Sequence, residues 1–239
     1  MPDSPTLPAS PTPPAFLWSG PADGPLLVLA HGAGAAMDSE WMNRLAALLA
    51  DRGIRVARFE FAYMAARRGP DGRRRPPPKA ETLMDEYRAA VAAVLAAAPE
   101  ARPLVIGGKS LGGRVASLVA DELRAAGEVR GLVCLGYPFH PPGRPEKLRT
   151  AHLLSLATPT LVCQGTRDPF GTIEEVPAYG LPAGIRFTWL DDGEHEFKPR
   201  ATLSGHTHAE HLATAADAVA DFVRTVGYDG TGESQGDVA

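Results

Sequence analysis

The sequence predicts a single α/β domain in which a mostly parallel β-sheet is covered by helices on both faces. Short apolar, β-branched runs recur at Leu26–Ala30, Ile54–Phe59, Leu104–Gly107, Gly131–Leu135, Thr160–Gln164 and Ile185–Leu190, each too continuous for a strand with one wet face. Segments with 3.6-residue apolar spacing separate most of them, and strand–helix–strand repetition is the pattern of parallel crossover units. With 239 residues and 44% hydrophobic content, the chain can bury one large core without disulfide staples.

Taken in order, Pro2, Pro5, Pro8, Pro11, Pro13 and Pro14 punctuate residues 1–14, which are expected to form a disordered tail before a domain spanning 15–226. After the first strand, Trp41, Leu45, Leu48 and Leu49 mark a helix that Gly53 closes. The strand Ile54–Phe59 leads into a basic loop carrying Arg67, Arg68, Arg73, Arg74, Arg75 and Lys79. Leu83, Tyr87, Val91, Val94 and Leu95 give the next helix, and Leu111, Val115, Leu118 and Val119 another, stopped by Gly127. The last helix carries Leu212, Ala215, Val219, Phe222, Val223 and Val226, with Thr207 and Glu210 in capping-box spacing before it. Residues 227–239, rich in Gly, Asp and Ser, are expected to be a second disordered tail.

Composition excludes several classes of function. Lys plus Arg number 24 against 28 Asp plus Glu, a net charge of −4, so no global basic field invites nucleic acid. Apolar runs such as Leu26–Ala30 fall far short of the roughly 18 residues of a membrane-spanning helix, so no membrane partner is expected. The start, Met1-Pro2-Asp3-Ser4-Pro5, has no cationic or apolar export segment, and a cytoplasmic location is expected. Cys134 and Cys163 sit within apolar runs and read as buried free thiols. His206, His208 and His211 have metal-ligand spacing but lie in the approach to the last helix with no clustered acid beyond Glu210. They read as solvated cap-region histidines, and neither metal nor organic cofactor is expected.

Chemistry concentrates on the turns that leave the strands, where open α/β sheets build their sites. Gly108-Lys109-Ser110-Leu111-Gly112 lies between a strand and a helix. Small residues on either side of Ser110 permit a turn so sharp that its hydroxyl protrudes, the nucleophile-elbow pattern. A P-loop would need glycine where Pro103 stands, and a dinucleotide fingerprint at Gly32-x-Gly34 would need one at Met37. A hydroxyl nucleophile requires a base, and the base an orienting carboxylate. Asp168 follows the strand Thr160–Gln164 and His195 follows Ile185–Leu190, giving the chain order Ser110, Asp168, His195. Backbone N–H groups of Leu111 and of Ala33, in the turn His31-Gly32-Ala33-Gly34, are the expected donors to an oxyanion.

Six segments carry a family resemblance: His31–Gly34, Arg58–Met64, Gly108–Arg114, Gly136–Gly143, Gln164–Gly171 and Gly193–His195. They look like the small α/β hydrolases related to testis-expressed protein 30 and to the hydrolase-like subunit of a histone-acetyltransferase complex, and more distantly to dienelactone hydrolases. The likeness covers about residues 15 to 226, with Ala62 where proline and Leu111 where methionine is usual. It implies an α/β-hydrolase fold and a Ser-Asp-His triad at the same three positions. The stretch between Leu135 and Thr160 is too short for the lid domain that many relatives insert there, so an open site is expected. Dienelactone hydrolases generally use a cysteine nucleophile, so Ser110 favours an ordinary esterase or peptidase-like reaction.

The expected function is hydrolysis of an ester or related acyl bond through an acyl-enzyme, with a small-molecule acyl substrate as partner. His31, Gly32, Tyr137, Arg73 and Arg74 are the expected substrate-binding residues. The alternative is a non-catalytic binding module that holds a protein or anionic partner through its loops. Neither reading sets an oligomeric state.

Overall fold

The computed structural model describes residues 15–68, 76–100 and 104–227. The two expected tails, apart from Gly227, and Arg73, Arg74 and Arg75 lie outside the described residues. Seven strands, β1 (Phe16–Ser19), β2 (Leu26–Ala30), β3 (Arg55–Phe59), β4 (Leu104–Lys109), β5 (Gly131–Leu135), β6 (Thr160–Gly165) and β7 (Ile185–Leu190), form one sheet in the order β1-β3-β2-β4-β5-β6-β7. All neighbours run parallel except β1, which pairs antiparallel with β3 and forms one edge. The helices are α1 (Glu40–Asp51), the short α2 (Ala62–Ala65), α3 (Met84–Ala97), α4 (Leu111–Ala125), the short α5 (Ala201–Ser204) and α6 (His208–Gly227).

Strand periodicity divides the core in two. Leu27, Leu29, Val105, Val133 and Leu135 point to the face that α1 and α6 cover with Leu45, Leu49, Val219 and Val223. Their neighbours Leu26, Val28, Ile106, Leu132 and Cys134 point to the face covered by Tyr87 and Val91 of α3 and Val115 and Val119 of α4. Both cysteines are buried and unpaired, and burial drives the thiol of Cys163 up to about 12.

Two expectations need correction. The sequence reading omits β1, whose four residues are too few to show a period. It also takes Ile185–Leu190 as buried on both faces. In the structure β7 is the other edge of the sheet, with its middle four residues exposed or half-exposed, and Arg186 and Thr188 alternate with Phe187 and Trp189 as an edge strand requires. The capping box before α6 forms as its spacing predicts: Thr207 N–H donates to Glu210 Oε2 at 2.7 Å and Glu210 N–H to Thr207 Oγ1 at 3.2 Å.

The chain steps from β2 to β3 on one side and then crosses back to place β4 on the other. Such a reversal leaves a crevice outside the carboxyl ends of the two strands, here β2 and β4.

Candidate active site

At that crevice β4 passes directly into α4 through Ser110, which has φ 49° and ψ −112°. A non-glycine residue rarely adopts positive φ, and the conformation costs about 1–3 kcal/mol. Packing holds it there. A Cβ on Gly112 would lie 2.6 Å from the His31 carbonyl oxygen, and one on Gly108 only 2.4 Å from the Gly112 carbonyl carbon, so glycine alone lets strand, turn and helix approach this closely.

The Ser110 hydroxyl meets His195 Nε2 at 2.9 Å, and His195 Nδ1 lies 2.8 Å from Asp168 Oδ2. Asp168 is fully buried, 0% exposed, and its carboxylate accepts two more hydrogen bonds, from Phe170 N–H at 2.9 Å and from the Gln164 side-chain amide at 2.9 Å. The three side chains that the sequence reading places on separate turns are therefore joined in one chain of hydrogen bonds. Phe170 packs on the imidazole with ring centroids 4.2 Å apart. A serine so joined to an imidazole and a buried carboxylate can pass its proton to the ring as it attacks.

The turn 191–198 that carries His195 is itself strained, with Asp192 at φ 53° and Phe197 at φ 67°. Arg167 and Arg200 both bond the Asp192 carboxylate and hold it well below the ordinary aspartate range. Trp41 Nε1–H donates to the Glu196 carbonyl at 3.0 Å. From α6, His208 donates to the same carbonyl at 2.9 Å and His211 to that of Phe197 at 2.8 Å. His211 is thus a buried anchor and not a solvated cap residue.

Ala33 lines the same cleft as Ser110, and Leu111 follows Ser110 in the chain. Leu111 opens α4, where first-turn N–H groups lack helical partners, and no acceptor among the described residues takes the Leu111 or Ala33 N–H. The Gly32 carbonyl accepts from His31 Nδ1–H at 2.6 Å and the Ala33 carbonyl from the Tyr63 hydroxyl at 3.1 Å. Because a trans peptide sets N–H opposite to C=O, His31 turns the Ala33 N–H away from itself. Burial raises the Tyr63 phenol to about 12, so it remains a donor.

Two expected substrate contacts are corrected. His31 is 0% exposed; its Nε2 accepts from Phe61 N–H at 3.2 Å, which fixes the neutral Nδ1–H form, and burial lowers its pKa. Tyr137 is 1% exposed, with its hydroxyl on the Arg149 carbonyl at 3.2 Å and its ring on Phe139. Neither lines the cleft over Ser110. A position at a strand's carboxyl end does not reveal which way a side chain turns. Gly32 does line the cleft over Ser110, which encloses about 360 Å³ and is walled by the 32–35 loop, Trp41, Met42, Phe170 and Glu196. Of the basic loop, Arg68 is committed to Asp38 and Glu60 at 2.6 and 2.7 Å.

Sequence reasoning did not find Lys109, Gln164 or Tyr63. A lysine and a glutamine inside apolar strands were the available signals for the first two. Lys109 is 4% exposed; its ammonium donates to the His195 carbonyl at 2.9 Å and pairs with Glu196 Oε1 at 3.2 Å. Burial pulls its pKa down and the Glu196 carboxylate opposes that pull. Among the described residues no group of three His, Cys, Asp or Glu could hold a metal ion, and no helix is long and apolar enough to cross a membrane.

Residues 23–224 match the family described as an alpha/beta hydrolase domain. Similar solved structures include an α/β serine hydrolase without lid from Xanthomonas campestris, at 21% identity over 90% of this chain and 98% of that one, with a TM-score of 0.60. The esterase domain of a Rhodothermus marinus protein aligns at 18% identity over 89% and 93%, with a TM-score of 0.60. A dienelactone hydrolase from Anabaena variabilis aligns at 16% identity over 90% and 99%, with a TM-score of 0.63. These likenesses show a shared fold.

Proposed function

The chain belongs to the alpha/beta hydrolase domain family, and on that premise we propose that it is a serine hydrolase that cleaves esters or related acyl bonds through an acyl-enzyme. The observation that carries this reading is the continuous path Ser110 Oγ, His195 Nε2, His195 Nδ1, Asp168 Oδ2, with contacts of 2.9 and 2.8 Å. A binding module would have no use for a serine held at φ 49° on such a path. The narrower likeness to testis-expressed protein 30 is part of the same proposal and is supported by the six sequence segments.

Ser110 Oγ attacks the acyl carbon while its proton moves to His195 Nε2, and Asp168 stabilises the imidazolium through Nδ1–H. The carbonyl oxygen takes negative charge and accepts hydrogen bonds that the Ala33 and Leu111 N–H groups donate. Collapse of the intermediate breaks the bond to the leaving group, which takes the proton from His195. Water then attacks the acyl-serine, giving its proton to His195, and the acid is released as Ser110 regains its hydrogen. Ser110 replaces the cysteine of dienelactone hydrolases, which favours simple esters.

A fluorophosphonate probe tests the reading. Labelling is expected at Ser110 alone, by intact mass and peptide mapping, and lost in Ser110→Ala, because among the described residues only this serine is paired with a base at a helix N-terminus. Labelling elsewhere with Ser110 untouched would sink the proposal.

A further inference from the structure

A buried ammonium is costly unless the fold gives it partners, and Lys109 has an unusual set. It sits in the elbow immediately before Ser110, its Nζ within 5.4 Å of the Trp41 ring centre and 5.9 Å of that of Phe197. Its hydrogen bonds go to the His195 carbonyl at 2.9 Å and the Glu196 carboxylate at 3.2 Å. Room for it comes from Gly136, whose absent Cβ would stand 3.2 Å from Nζ and 3.3 Å from His195 Nδ1. The turn it grips contains two residues at positive φ and does not hold its shape by local preference. One side chain therefore ties the main chain of the base to the residue next to the nucleophile.

Resting on the serine-hydrolase reading above, we infer that Lys109 is a positioning residue: its bond to the His195 carbonyl fixes the imidazole against Ser110 Oγ and so sets turnover, without binding substrate. The other groups around Lys109 cannot substitute for it. Glu196 is an acceptor, Trp41 and His208 bond the Glu196 carbonyl, and Asp168 and Glu194 contribute only attraction across space. Among the described residues no other side chain donates to the His195 carbonyl.

The test compares the parent with Lys109→Met, which matches the stem as far as Cε and removes the donor, Lys109→Gln, which keeps a neutral donor one atom short of Nζ, and Ser110→Ala. A shift of the base by about 1 Å costs about 10²-fold in rate, so kcat of Lys109→Met should fall by about that factor with KM within about threefold. Lys109→Gln should lose less. The deshielded proton that His195 Nδ1 shares with Asp168 should give a sharp NMR resonance in the parent and a broadened one in Lys109→Met. A cooperatively melting Lys109→Met with kcat within about threefold of the parent overturns the inference, as does a fall in kcat with that resonance unchanged. If Lys109→Met does not fold, Lys109→Gln decides by the same two readouts. Parent-like turnover in Ser110→Ala would instead overturn the serine-hydrolase reading itself.

Discussion

Replacing Ser110 by glycine and by alanine separates the cost of the elbow from its chemistry. Both variants lose Oγ and its bond to His195, so that loss cancels in their comparison. Alanine must still occupy φ 49°, ψ −112°, a conformation costing about 1–3 kcal/mol, whereas glycine adopts it freely. Against this, glycine adds about 0.4–1 kcal/mol of unfolded-state entropy. Losing a half-buried Cβ removes less than about 0.8 kcal/mol of burial. Midpoints leave Ser110→Gly more stable than Ser110→Ala by about 1 kcal/mol, which for a chain of this size is a melting temperature higher by about 2–4 °C. Matched thermal melts provide the assay, with ester turnover measured on the same samples. Both should be inactive by several orders of magnitude. A glycine variant that melts below the alanine variant would show that the strain in the elbow is smaller than the entropy and burial that glycine gives up, and would refute the midpoint of about 2 kcal/mol for that strain.

Two further outcomes are expected. His31 is neutral in the fold, and burial lowers its pKa from the ordinary 6.5; the unfolded chain takes up the proton first, so its contribution is whole above that value and lost as pH falls below it, by at most about 1.4 kcal/mol per pH unit. Urea melts at successive pH values from 7.5 to 5 should give a shallower slope for His31→Gln than for the parent, with His152 and His208, also lowered by burial, contributing equally to both; identical slopes would refute the assignment. The second outcome concerns substrate length: a cleft of about 360 Å³ with no lid over it among the described residues accommodates a short acyl group and leaves a long one in water, so p-nitrophenyl butyrate should be cleaved faster than the laurate. Faster laurate cleavage would contradict this.

Much of the architecture is legible in the sequence because central parallel strands are apolar on both faces, and Leu26–Ala30 and Gly131–Leu135 begin and end where the runs do. Ser110, Asp168 and His195 can be nominated from their turns, since the carboxyl ends of the strands share one rim. What spacing does not carry is direction. His31 and Tyr137 occupy rim turns yet face inward, as their hydrogen bonds to Phe61 and Arg149 show. Nor does it carry long-range pairing. Lys109 and Gln164 each look like one polar interruption of a strand until the fold brings them to His195 and Asp168. Trp41 reads as one of a row of apolar residues on α1, but its indole N–H reaches a turn more than 150 residues away in sequence.

That turn also hangs on α6, through His208 and His211, and α6 follows every strand in the chain. During synthesis the sheet, the elbow and Asp168 emerge with Trp41 and Lys109, which hold the turn of the base from one side, before the two histidines that hold it from α6. A nascent chain can thus have Ser110 in place while the turn of its base still lacks two of its bonds, which form when α6 docks. Detachment of α6 would remove those two bonds and at the same time uncover the face of the sheet that it covers with α1.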